Sequence, residues 1–181
     1  MTLLVAYATT DGQTGKIARY CADHLSARHS VELLNLQDAE GLDLGRFVAV
    51  LLAGSVHMHG FQTALIRFAR AHAADLSRKP SLFLAVSLSA AGQDAEDWQG
   101  LREIHAAFQS ETGWTPGTVL DVAGAFRFSQ YDVFRAWAMR RIARQKDATV
   151  DPKVDTEYTD WPALALALDV WAATVPARAG D

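Results

Sequence analysis

The sequence predicts an α/β fold, a three-layer, doubly wound sheet of five parallel strands. Short, wholly apolar runs at 3–8 and 47–53 read as strands buried on both faces. Amphipathic helical stretches alternate with the strands, which calls for right-handed crossovers and helices on both faces of the sheet. The chain has 181 residues, 50% hydrophobic and 21% charged, enough for one core without disulfide or metal support.

Each element follows from its own pattern. After the strand at 3–8 come Thr9, Thr10, Asp11, Gly12, Gln13 and Thr14, a polar turn. Ile17, Ala18, Cys21 and Leu25 then recur at three- and four-residue steps, the buried stripe of a helix. Cys21 is the sole cysteine and lies on that stripe, so it is expected to be inert core. Residues 31–36 make the second strand and 47–53 the third. Leu65, Phe68, Ala69 and His72 then share one helix face. Pro80 leads into a fourth strand over 81–88. The following helix starts near 95, turns Leu101, Ile104, His105 and Phe108 inward, and stops at Gly113. Residues 118–125 form the fifth strand. The last helix opens on Asp160 as N-cap and buries Trp161, Leu164, Leu168 and Trp171.

About 35 residues separate the fifth strand from the last helix, where 2–6 is usual, and such length generally marks function. Within this stretch 131–146 has a narrow apolar stripe of Tyr131, Phe134, Ala138 and Ile142 and reads as a basic amphipathic helix. The net charge of −4 lacks the footprint of a nucleic-acid binder. It is unevenly spread: 126–147 holds Arg127, Arg135, Arg140, Arg141, Arg144 and Lys146 against Asp132 and Asp147, so this part carries +4 and the rest −8. No apolar run approaches the roughly 20 residues of a spanning helix, and the apolar start has no basic region ahead of it, so no signal peptide is expected.

In an open parallel sheet, ligands bind beyond the carboxyl ends of the strands where strand order reverses. The first turn lacks G-x-G-x-x-G, and Gly15-Lys16 lacks the rest of a P-loop, so both nucleotide fingerprints fail. Thr9 and Ser55 stand where a phosphoacceptor domain needs acids. Threonine hydroxyls, a glycine and a helix start suit a bound phosphate, although the same residues also make an ordinary capping box. Ser55, Val56, His57, Met58 and Gly60 after the third strand, and Ser87, Leu88, Ser89 and Gln93 after the fourth, form two small-residue loops able to wrap a flat ring. His57 and His59 lack a third ligand cluster, and Ser55 lacks G-x-S-x-G, so neither a metal site nor a nucleophilic triad is expected.

In strand order and turn placement the chain resembles flavodoxin-like proteins. Thr9-Thr10-Asp11-Gly12-Gln13-Thr14, Gly124-Ala125-Phe126-Arg127-Phe128 and Tyr158-Thr159-Asp160-Trp161, in this order, resemble the menaquinone-dependent protoporphyrinogen IX dehydrogenase family. The resemblance implies a flavodoxin-like domain over 1–175, with an inserted segment at 128–157 and a flexible tail at 176–181. It implies FMN as cofactor, held by the turn residues and the two loops named above, with the chemistry on the flavin and no catalytic side chain. It also implies protoporphyrinogen IX as substrate, menaquinone or another quinone as acceptor, and a role in haem biosynthesis. The expected location is cytoplasmic, in peripheral contact with the anionic inner membrane. Arg127, Arg135, Arg140 and Arg141 are the expected partners of the substrate propionates, and a solvated helix face is the plainer reading of the same arginines. A flavodoxin-type electron carrier, an FMN-dependent NAD(P)H or quinone reductase, and a domain that has lost its cofactor remain as alternatives.

Overall fold

The computed structural model describes residues 1–57, 60–126 and 155–176. Five strands, β1 (Thr2–Ala8), β2 (Ser30–Asn35), β3 (Phe47–Ser55), β4 (Ser81–Ser87) and β5 (Thr118–Ala123), form one parallel sheet in the order β2-β1-β3-β4-β5. Helix α1 (Gln13–Ser26) follows β1; α2 (Thr63–Ala71) and the short α3 (Ala73–Leu76) follow β3; α4 (Ala95–Thr112) follows β4. The last helix, α5, spans Trp161–Ala172.

The central strands are apolar throughout because successive side chains go to opposite, equally buried faces. Leu3, Val5, Leu51, Ala53, Leu84 and Val86 pack under α1 and α5. Their neighbours Leu4, Ala6, Val50, Leu52, Phe83 and Ala85 pack under α2, α3 and α4. On the second face Phe61, Phe83, Phe108 and Trp114 form an aromatic cluster, with Phe83 and Phe108 stacked at 4.9 Å and Phe61 edge-on to both at 5.1 Å. Cys21 is fully buried in the first core, and desolvation pushes its thiol up to about 12.

The helix boundaries are chemical. Asp94 caps α4 by accepting from the N–H groups of Glu96 and Asp97, and Gly113 ends it in the left-handed conformation at φ 69°. Asp160 caps α5 by accepting from the N–H of Ala163. Three expectations need correction. The second strand stops at Asn35, since Leu36 opens a 3-10 turn whose N-terminus Asn35 caps. The fifth strand ends at Ala123; Ala125–Phe126 forms a separate strand, β6, pairing antiparallel with β7 (Thr156–Glu157). Trp161 is only half-buried: it packs at the margin of the first core against Tyr20, and its Nε1 donates to Glu157 Oε1 at 3.0 Å.

Candidate cofactor-binding site

Strand order reverses between β1 and β3: the chain leaves β1 for β2 on one side and returns to β3 on the other. Helices α1 and α2 therefore diverge, opening a crevice at the carboxyl ends of β1 and β3. Ala8 and Gly54 are partners at that edge, which sets the turn 9–14 beside Ser55, Val56 and His57.

The turn itself is shaped by Gly12. Its φ of 85° lies in the left-handed region, and it stands at the N-cap of α1 with no side chain capping the helix. The capping-box reading of these threonines thus fails. Thr9 Oγ1 instead accepts from the N–H of Gly12 at 3.0 Å, and Thr10 Oγ1 accepts from the amide of Gln62 at 3.2 Å. Both hydroxyls act as acceptors within the protein and keep their own protons to donate to an anion. With the helix start behind them, they make a neutral donor set, the kind suited to a phosphate. Asp11 would oppose an anion, but its Oδ2 faces His57 Nε2 at 3.2 Å, toward the loop after β3. Thr14 is buried at 1% exposure and belongs to the helix's packing.

Gln62 draws the first and third turns together. Its Oε1 accepts from the N–H of Ser55 at 3.2 Å, while its amide donates to Thr10 Oγ1 and to Ser55 Oγ. Val56 N–H donates to the carbonyl of Val86, and His57 and Gly60 exchange backbone hydrogen bonds that close the loop between them. After β4, Ser87 Oγ accepts from the N–H of Ala90, rolling Ser89–Ala91 into a 3-10 turn. Trp98 Nε1 donates to the carbonyl of Gly92 and buttresses this loop from α4. Leu88 and Ser89 are half-buried there, whereas Gln93 is exposed at its far end. Met58 lies outside the described residues.

Gln13 and Thr14, expected in the turn, are the first residues of α1, and Gln13 is deeply engaged there. It is 5% exposed, and its amide donates to Glu157 Oε2 at 3.0 Å and Thr159 Oγ1 at 3.1 Å. Lys16 donates to the same Glu157 Oε2 at 2.6 Å. Its charge is thereby matched locally, in keeping with the neutral donor set. Burial opposes ionisation of Glu157, but hydrogen bonds from Lys16, Gln13 and Trp161 outweigh it and hold its carboxyl below the usual range.

Gln62, Trp98, Glu157 and Thr159 were not singled out as site residues from sequence. Gln62 carried the one available signal, a polar side chain just ahead of the α2 start. Thr159 stood in a motif without an assigned role, and Glu157 reaches Gln13 only across 144 positions of chain. Arg127, Arg135, Arg140 and Arg141 lie outside the described residues. His105 of α4 faces β5, its Nε2 3.2 Å from Asp121 Oδ1 without hydrogen-bond alignment, and its ring stacks on Phe61 at 6.3 Å.

A model of the flavodoxin domain matches residues 4–153. The chain belongs to the flavodoxin domain family. Among solved structures of the fold, oxidised flavodoxin 1 of Bacillus cereus superposes with a TM-score of 0.58 over 97% of this chain and 100% of that one, at 12% identity. Two curated relatives bear the name protoporphyrinogen IX dehydrogenase [quinone]. The Escherichia coli K12 protein is 26% identical over 166 residues, 91% of each chain. The Leishmania major protein is 29% identical over 165 residues, 89% of this chain and 70% of that one. The flavodoxin turn at 9–14 fits the phosphate of FMN, the cofactor the family implies: neutral hydroxyls, a left-handed glycine with open space where a Cβ would stand, and a helix N-terminus without a side-chain cap.

Proposed function

We propose that this flavodoxin-domain chain binds FMN at the carboxyl ends of β1, β3 and β4 and oxidises protoporphyrinogen IX to protoporphyrin IX, with a quinone such as menaquinone as acceptor, in haem biosynthesis. The observation that carries the reading is the likeness to a protein of that name over 91% of both chains. FMN, when bound, would supply the redox chemistry between the porphyrinogen and the quinone. The protein's share is binding and orientation. Thr9, Thr10 and the first turn of α1 hold the phosphate. Ser55, Val56, His57 and Gly60 of one loop and Ser87, Leu88 and Ser89 of the other would hold the ring.

The long segment after β6 supplies the substrate surface in this reading. Arg127, Arg135, Arg140 and Arg141 pair with the two propionates through charge-assisted, bidentate hydrogen bonds. The same cluster gives a cytoplasmic protein a basic face for an anionic membrane, where the quinone resides.

The test is anaerobic mixing of the FMN-loaded protein with protoporphyrinogen IX, followed by a menaquinone analogue. Bleaching of the flavin absorbance that the quinone reverses is expected. A flavin that stays oxidised with the porphyrinogen yet bleaches with dithionite overturns the substrate assignment and leaves an electron carrier.

A further inference from the structure

We propose that Glu157 is a positioning residue for the phosphate-binding turn: together with Thr159 it holds the side chain of Gln13 and so fixes the first turn of α1 to the base of the segment that leaves the sheet after β5. The inference rests on the FMN reading above and adds a role that no contact with the flavin would reveal.

Gln13 is the first residue of α1, next to the left-handed Gly12. The orientation of a helix start decides where its backbone N–H groups point, and an anion site is only as good as that aim. Gln13 does not leave its orientation to α1 alone. Its amide is gripped by Glu157 Oε2 at 3.0 Å and Thr159 Oγ1 at 3.1 Å. Thr159 in turn donates to the carbonyl of Ala123 at 2.7 Å, the last residue of β5. The first turn of α1 is thereby tied to the far edge of the sheet.

Glu157 is itself held from three sides. Lys16 donates to Oε2, Trp161 Nε1 donates to Oε1 at 3.0 Å, and β7 pairs its backbone with Ala125 of β6. Lys16 also lies over the Trp161 ring at 5.2 Å, a cation–π contact that keeps the ammonium beside the carboxylate. One carboxylate thus gathers α1, the β6–β7 pair and the start of α5. Losing it leaves the buried Gln13 amide short of an acceptor, which costs the arrangement that satisfied it.

The experiment compares FMN with riboflavin, which lacks the phosphate, by fluorescence titration of the full-length apoprotein. Glu157→Ala is expected to weaken FMN about tenfold while changing riboflavin less than about twofold, since only phosphate binding relies on the aim of the turn. Glu157→Gln keeps an oxygen acceptor for Gln13 and is expected to restore most of the FMN affinity. Lys16→Ala removes one of the groups that hold Glu157 but leaves both Gln13 contacts, so its loss of FMN affinity should be clearly smaller than that of Glu157→Ala. Should Glu157→Ala fail to fold, Thr159→Val, which loses the hydroxyl but keeps the shape, must show the same FMN-selective loss. Equal weakening of both flavins, no weakening of either, or a Lys16→Ala loss as large as that of Glu157→Ala overturns the positioning role. A wild-type protein that binds neither flavin overturns the FMN reading itself, and this inference with it.

Discussion

Gly12 shows how much a single backbone conformation decides. At φ 85° it adopts a geometry that L side chains rarely take, while nothing lies within 4 Å of where a Cβ would be. The cost of Gly12→Ala is therefore conformational and not a clash, about 1–2 kcal/mol, read as a lower urea midpoint, with FMN affinity falling as the turn relaxes. Cys21 behaves oppositely: a buried thiol pushed up to about 12 is protonated at neutral pH and unreactive. Thiol reagents should leave the native protein unlabelled and react once it is unfolded in urea. Glu157 is held below its ordinary range, so its ionised form stabilises the folded state. That stabilisation is fully present above the carboxyl's ordinary unfolded value and is lost as pH falls through the lower folded value. Thermal melts in acid should show wild type losing stability faster than Glu157→Gln, with no such divergence near neutrality.

Among the elements, α5 and the β5–β6 junction reward comparison. The start of α5 was legible because capping has a local chemical signature: Asp160 accepts from Ala163 N–H at 2.9 Å. Asp160→Ala should cost about 1 kcal/mol, measured by chemical denaturation, without altering the flavin spectrum. The junction was not legible. The stretch over 118–125 gives no sign that its ladder with β4 ends at Ala123, because side-chain pattern does not report which neighbour a strand bonds to. Gly124 marks the break: a Cβ there would stand 3.2 Å from Val86 Cγ1, and its backbone already bonds Ser87 and Tyr158. The buried stripes of α1 and α2 were legible for the converse reason, since helical periodicity records directly which side meets the sheet; on α4, Leu101 and Phe108 are buried while Ile104 and His105 are half-buried.

At the level of the whole molecule, the order β2-β1-β3-β4-β5 creates the crevice in which the turns converge. Residues 127–154 depart from one strand of the β6–β7 pair and return on the other. The proposed division of labour, cofactor on the sheet and substrate on this segment, makes a direct prediction. Deleting 129–154 while keeping β6, β7 and Glu157 should leave FMN affinity near wild type and abolish porphyrinogen oxidation. Turnover that survives the deletion would show that the substrate is recognised elsewhere.

The sequence by itself determined the fold class, the two-sided burial of the central strands, the inert cysteine and the presence of a polar turn after β1, since each depends on periodicity or on residues close in the chain. Tertiary structure alone decided that Gln62 joins the first and third turns, that Asp11 faces His57, and that Glu157 and Thr159 hold Gln13. These contacts link residues 7 to 146 positions apart, and their partners are chosen by the packing of helices on a twisted sheet. Local sequence specifies which groups can bond; only the closed fold specifies which of them meet.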